Sequence, residues 1–283
     1  MTEQRLDTFV CVHSRDVGYL LELVLRSYEV NFQPKGRLIL ISNDLTRLKS
    51  FVDEIGLKTP VTLYEDKDWL SEEEMKLPGW YKQQLIKLRS YKFCDTENFC
   101  NLGADTVLLQ PITESDLLDN GFPILYYTHH LLPDNHVRYE RGRVGYIGNM
   151  LKVEPTNASR YVDFINDLFC FNRDSLISLD TYLKQLYGDN AYVNMLKGLD
   201  DRIENRNKFG EWTLYSVYLL DKLHKQVTMR NTGNGYLHQV HSNLSLRMYR
   251  FNTKVAHFVS KNLDVDYIKR QIAKRNLQLA SSL

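Results

Sequence analysis

The chain has 283 residues, 43% of them hydrophobic, enough to fill the core of a sizeable α/β domain, which excludes disorder as the default state. Its 36 Lys and Arg nearly cancel its 35 Asp and Glu, so no global field draws it toward nucleic acid or acidic polymers, and any anion site must be local. The four cysteines, Cys11, Cys94, Cys100 and Cys170, are too scattered for a zinc or redox pair and read as free thiols of a reducing compartment.

Charges at Met1–Asp7 stand where a signal peptide needs an apolar core, and no stretch approaches the roughly 18 apolar residues of a membrane span. The expected location is cytoplasmic. The 18 Tyr and 12 Phe read first as core packing and only second as sugar or base stacking.

The first hundred residues alternate β-rich apolar runs with helix-period segments, the pattern of a parallel sheet whose strands are each covered by a following helix. Thr8–His13 reads as a strand, and Val17–Val30 as a helix with Leu20, Leu21, Val24, Leu25 and Tyr28 on one face and Asp16 as its cap. Arg37–Ser42 is a second strand, Asn43 and Asp44 supply turn and cap chemistry, and Leu45–Ile55 is a helix stopped by a left-handed Gly56. Val61–Tyr64 is a third strand, followed by an acidic, aromatic loop and a helix over Trp80–Phe93. A short buried strand at Phe99–Leu102 then ends in Gly103-Ala104-Asp105.

Beyond Pro111 the rhythm changes. A strand at Pro123–Thr128 precedes a polar stretch, His129–Arg143, rich in His, Asp, Asn and Arg, and Tyr146–Val153 reads as extended. Helices are expected at Ala158–Phe169, Leu179–Leu186, Ala191–Lys197 and Trp212–Lys225. With no repeat and no linker, residues 1–283 read as one composite domain, its first half ending near residue 111 and its second carrying the variable pocket and a C-terminal helix.

Two segments carry chemistry. In Phe99-Cys-Asn-Leu-Gly-Ala-Asp-Thr-Val-Leu-Leu-Gln-Pro111 an apolar strand delivers the carboxylate of Asp105 to its carboxyl end. Open α/β sheets bind ligands in that crevice, where an acid can hold a divalent cation against a diphosphate. The plain alternative is a capping Asp in a turn. The second segment, Pro78-Gly-Trp-Tyr-Lys-Gln-Gln-Leu-Ile-Lys-Leu88, sets Lys87 three residues after Gln84 and four after Gln83 on one helix face, an amide beside an ammonium.

Together these segments resemble bacterial GT-A glycosyltransferases of capsule and surface-polysaccharide loci, in which a Gly-Trp-x-x-Gln-Gln-x-x-Lys-Leu helix shortly precedes an Asp-x-Asp strand end. The likeness spans roughly Thr8 to Pro111, with a weaker match at Phe209-Gly-Glu-Trp-Thr-Leu-Tyr215. It implies a Rossmann-type, mostly parallel central sheet flanked by helices. It also implies sugar transfer from a nucleotide-sugar donor to a glycan or lipid-linked acceptor in cell-surface polysaccharide biosynthesis.

On this resemblance His13, Arg15 and Asp16 after the first strand and Asn43 and Asp44 after the second meet the nucleotide. Ala104 and Asp105 lie by the diphosphate, and Gln84 and Lys87 wall it. The first acid of Asp-x-Asp is Gly103 here, so Mn2+ or Mg2+ would rest on Asp105, with His238 and His241 of His-Gln-Val-His as further candidate ligands in a loop after Gly233 and Gly235. Two surface histidines are the simpler reading.

Glu211, at the start of a helix whose dipole favours an anion, is the candidate base for an inverting transfer, and a plain helix-start acid is nearly as good a reading. Gly103 also motivates a rival, a degenerate nucleotide-sugar-binding protein of the same fold. A hydrolase or phosphatase is remote, since the chain has neither a Gly-x-Ser-x-Gly elbow nor a phosphate loop ending in Gly-Lys-Ser or Gly-Lys-Thr. The tail from Lys261 to Arg275, with Lys269, Arg270 and Lys274 beside Val265, Ile268 and Ile272, suits either a docked terminal helix or peripheral contact with the inner face of an anionic membrane.

Overall fold

The computed structural model describes residues 5–129, 135–160, 162–164, 166–199, 202, 208–232, 237–240, 253–258 and 270. Strand β1 (Leu6–Val12) is buried along its whole length, as a strand covered on both faces must be. Helix α1 (Tyr19–Asn31) begins after Gly18 rather than at Val17. Asp16 is not its cap: it lies in a 3-10 turn, Ser14–Asp16, which His13 caps by accepting the Arg15 N–H. Leu21, Val24, Leu25 and Tyr28 are buried as the period predicts, joined by Leu23, Ser27 and Asn31.

Strand β2 (Lys35–Ser42) leads into α2 (Leu45–Ile55), which has the expected ends: the Asp44 carboxylate accepts from Arg47 N at 3.0 Å, and Gly56 stops the helix at φ 59°. Strand β3 (Val61–Glu65) follows. Helix α3 (Gly79–Leu88) is shorter than expected, its continuation tightening into a 3-10 turn at Ser90–Lys92. Strand β4 (Asn98–Leu102) and strand β5 (Thr106–Leu108) are fully buried on either side of the Gly103–Asp105 turn.

The later half departs further from the sequence reading. After β6 (Leu125–His129), helix α4 (Asn135–Leu151) runs through most of the polar stretch and through most of the segment expected to be extended. Gly142, Gly145 and Gly148 lie within this helix, and at Gly148 the reason for a glycine is space. A Cβ there would lie 2.7 Å from Pro155 Cγ and 2.9 Å from the Val153 carbonyl oxygen, where the chain folds back on the helix end.

The helix expected at Ala158–Phe169 is instead one turn, Asn157–Arg160, and two strands, Val162–Asp163 and β7 (Leu168–Asn172). Asn172 then caps α5 (Arg173–Tyr187), accepting from Ser175 N at 3.1 Å, which moves that helix start ahead of Leu179. A short helix, Ala191–Met195, precedes α6 (Glu211–Val217), which runs into a π-helical turn, Tyr218–Lys222. His238 falls on β8 (Leu237–Val240), a strand rather than the expected loop, and β9 (Val255–Phe258) pairs beside it in parallel. His241 and the basic tail, Arg270 apart, lie outside the described residues.

The chain divides into two compact units, one of Met1–Glu65, Cys100–Leu118 and Thr232–Leu283, the other of Asp66–Phe99 and Asp119–Asn231. Their boundaries do not coincide with the division expected near residue 111, because each unit is assembled from separated stretches. The fold class is the one expected: α/β, with a central, mostly parallel sheet and flanking helices.

In the first unit β1 lies between β4 and β2, with β3 outside β2, and β1–β2 and β2–β3 are parallel. Phe9, Val10, Leu38, Leu40 and the inner face of α1 are sealed from solvent, each large side chain contributing about 1.5–3 kcal/mol relative to exposure. Polar ties fix the edges. Asn31 donates to the Leu108 carbonyl at 2.7 Å, Asp7 takes the Arg37 guanidinium at 2.7 Å, and Lys254 reaches Asp116 at 2.6 Å. The second unit is built on an aromatic core, Phe169, Phe171 and Tyr215, with ring centroids 4.8–5.9 Å apart.

Burial alone would raise the Asp116 carboxyl, but hydrogen bonds from Lys254 and Thr113 outweigh it and hold the group below its usual range. A depressed folded pKa contributes stability above the unfolded value and loses it as pH falls through the folded one. The melting-temperature gap between wild type and Asp116→Asn should therefore be widest near neutral pH and close as pH drops below about 4. A gap that stays constant from pH 7 to pH 3 would contradict this.

Candidate functional site

In the first unit the ends of β1 and β2 are tied by side chains. Ser14 N donates to Asn43 Oδ1 at 2.8 Å, and Asn43 Nδ2 returns a bond to Ser14 Oγ at 3.3 Å. His13 Nδ1 accepts the Arg15 N–H at 3.2 Å, which in a neutral ring leaves the proton on Nε2. Arg15 is exposed and stands 3.8 Å from Asp16. Asp44 is occupied as the α2 cap. The structure thus brings His13, Arg15, Asp16, Asn43 and Asp44 into one polar rim at adjacent parallel strand ends, the position at which such sheets take ligands.

Asp105 and Ala104, both half-buried, form the turn between β4 and β5. Thr106 N closes that turn on the Gly103 carbonyl at 3.1 Å, and the Asp105 carbonyl accepts from Phe258 N at 2.9 Å, so the backbone under the carboxylate is fixed from both sides. Among the described residues there is no group of three or more His, Cys, Asp and Glu that could hold a metal ion. Any cation here would rest on Asp105 together with substrate phosphates, a donor set of the kind that Mg2+ accepts.

In the second unit the structure joins residues that the sequence reading assigned to different substrates. Lys87 Nζ donates to Glu211 Oε1 at 2.7 Å, with side chains 9% and 2% exposed. The Gln84 side-chain amide, one turn earlier on α3, faces the same carboxylate, which assigns its nitrogen rather than its oxygen to that side. The Lys87 ammonium lies 4.4 Å from the centroid of the Trp212 ring, which stacks on Phe169 with centroids 6.2 Å apart. Glu211 is the first residue of α6, so the helix dipole adds to the attraction.

Lys87 is therefore paired with Glu211 in this structure. Glu211, expected at an open helix start, is enclosed with donors already on it. Opposite charges 124 residues apart carry no signal of their pairing in sequence. The same holds for a second buried pair in this unit, Arg89 with Glu74, whose guanidinium also faces the Tyr192 ring at 5.1 Å. Trp212 was missed as the shelf under Lys87, although its place directly after Glu211 could have suggested it.

A family model described as a family of unknown function, DUF6492, matches residues 19–262. No curated protein matches the sequence. Among solved structures the chain is similar to the bifunctional glycosyltransferase WbbM in its apo form, at 11% identity and a TM-score of 0.56, over 100% of this chain and 52% of that one. The chain thus spans about half the length of that structure, and likeness at this identity speaks to the fold: this is a glycosyltransferase-like fold. No helix among the described residues is long and apolar enough to cross a membrane.

Removing one partner of a buried pair leaves an uncompensated charge, costing about 3–5 kcal/mol, whereas replacing both by apolar residues is often near neutral. Lys87→Ala should then lower the melting temperature by roughly 6–20 °C. The double change Lys87→Met with Glu211→Met should lower it less than Lys87→Ala does. Differential scanning calorimetry of the variants decides, and an unchanged melting temperature in Lys87→Ala would show that the pair carries no such weight.

Proposed function

We propose that this chain, which belongs to the DUF6492 family, is a glycosyltransferase that moves a sugar from a nucleotide-sugar donor to a glycan or lipid-linked acceptor of a cell-surface polysaccharide. The observation that carries this reading is the likeness to a glycosyltransferase over the whole chain. The strand-end carboxylate of Asp105 and the motif resemblance of α3 support it.

Within the first unit, the rim of His13, Arg15, Asp16, Asn43 and Asp44 is assigned to base and ribose, and the turn at Ala104 and Asp105 to the diphosphate. Ala104 offers little side chain to obstruct a phosphate. In the transfer an acceptor oxygen bonds to the anomeric carbon as the bond to the diphosphate breaks, and the acceptor's proton departs to a base. Negative charge grows on the leaving group, so its stabilisation is the largest catalytic demand. A divalent cation, Mn2+ or Mg2+, held by Asp105 and the diphosphate would supply that stabilisation; His238 and His241 remain candidates for the same role. Lys87, Gln84 and Glu211 are assigned together, as a rigid charged cluster that positions the start of α6 rather than as separate reacting groups.

Titration calorimetry with UDP, GDP, CDP and ADP, with and without Mn2+, tests the reading. One nucleotide should bind, and Asp105→Ala should weaken it at least about tenfold, some 1.4 kcal/mol, with an unchanged melting temperature. Binding of none of them under either condition overturns the proposal. Gly103, in place of the first acid, favours one second reading, a donor-binding protein without turnover; slow release of nucleoside diphosphate from the bound donor would exclude it.

A further inference from the structure

On α3, residues Trp80, Gln83, Gln84 and Lys87 fall at i, i+3, i+4 and i+7 and so share one face. That stripe meets a single segment at two depths. At its buried end Lys87 and Gln84 hold Glu211. At its outer end the half-buried Trp80 ring meets Phe209 edge to face, centroids 6.5 Å apart, and Phe209 is wholly buried between Trp80 and Tyr81.

The same segment is gripped from α4. A Cβ on Gly210 would lie 3.4 Å from Arg143 Cδ, and one turn on from Arg143, Tyr146 lies under the Lys208 ammonium, 4.9 Å from its ring centroid. Tyr146 is 43% exposed. Lys208–Gly210 is thus flanked by two incompletely covered aromatic rings, one from each helix.

A lone exposed ring needs no explanation. These two share a further property: among the described residues neither the Trp80 indole N–H nor the Tyr146 hydroxyl has a hydrogen-bond partner. Each therefore offers an apolar surface with an unused polar tip. A pyranose is complementary to that combination, with a face of C–H groups to lie on a ring and hydroxyls around its edge to meet the donor. The platform is also rigid, because the buried ion pair fixes the chain two residues beyond Phe209, so little entropy is lost on binding.

We propose that Trp80 and Tyr146 form a carbohydrate-binding subsite of the second unit, taking a neutral pyranose of the glycan acceptor. The subsite rests on the glycosyltransferase reading for its role, though not for its existence. Its probes are methyl α-D-glucopyranoside, methyl α-D-mannopyranoside and methyl β-D-galactopyranoside, offered at millimolar concentration to the full chain in saturation-transfer NMR.

The wild type should transfer saturation to the ring protons of at least one glycoside. Trp80→Ala should abolish the transfer and Tyr146→Ala should weaken it, both in protein that still unfolds cooperatively, and Trp80→Tyr, which keeps a ring against Phe209, should retain it. No transfer to any of the three, or equal transfer to Trp80→Ala, overturns the subsite. A wild-type dimer that becomes monomeric in Trp80→Ala also overturns it, by making the rings a protein interface. Nucleoside diphosphate titrations on the same samples separate the two readings. Nucleotide binding without glycoside binding removes the subsite alone, and Trp80-dependent glycoside binding without nucleotide binding removes the transferase reading alone.

Discussion

The ion pair of Lys87 and Glu211 is the constraint on which the second unit turns. Each charge loses several kcal/mol of hydration on burial, and their mutual attraction offsets that only with close geometry and additional hydrogen bonds. Here the contact is 2.7 Å, the Gln84 amide faces the same carboxylate, the Trp212 ring faces the ammonium, and Glu211 opens α6 at its amino end. Because the partners lie 124 residues apart in the chain, the pair joins α3 to the start of α6, two residues beyond Phe209, whose ring meets Trp80.

The first unit solves a different problem. Its strand ends are held by short-range polar bonds, Ser14 with Asn43, His13 with Arg15, Asp44 with Arg47, which organise backbone while leaving the rim polar. Arg15 is exposed there. The two units therefore use charge in opposite ways. One encloses its lysine and glutamate in packing, and the other keeps its polar groups at the edge of a parallel sheet, where an anionic ligand can be met.

Where local chemistry decides structure, the sequence was readable. Asp44 and Gly56 marked both ends of α2 correctly because a cap and a left-handed stop act within a turn of their own position. The strands β1 to β3 were legible as dense β-branched and leucine-rich runs. Distance erased the rest. Gly148 is required because Pro155 and Val153 fold back on the helix end, a contact that no neighbouring residue announces. Leu168–Asn172 became a strand through its partners rather than its period. The residue types of the candidate site were recognisable as Gln84, Lys87, Asp105 and Glu211, but not that two of them neutralise each other.

The motif on α3 then has a double character. Its spacing puts Gln84 and Lys87 inward, against Glu211, and Trp80 outward on the same stripe. A sequence pattern of this kind records a helix face and not a list of groups that touch substrate, since every residue on the face counts toward it whether it ends in the core or at the surface. Assigning chemistry to all of it over-counts. Burial separates the positions: Lys87 is enclosed, 2.7 Å from a buried carboxylate, while Trp80 stands half-buried at the outer end of the stripe, where the proposed sugar would reach it.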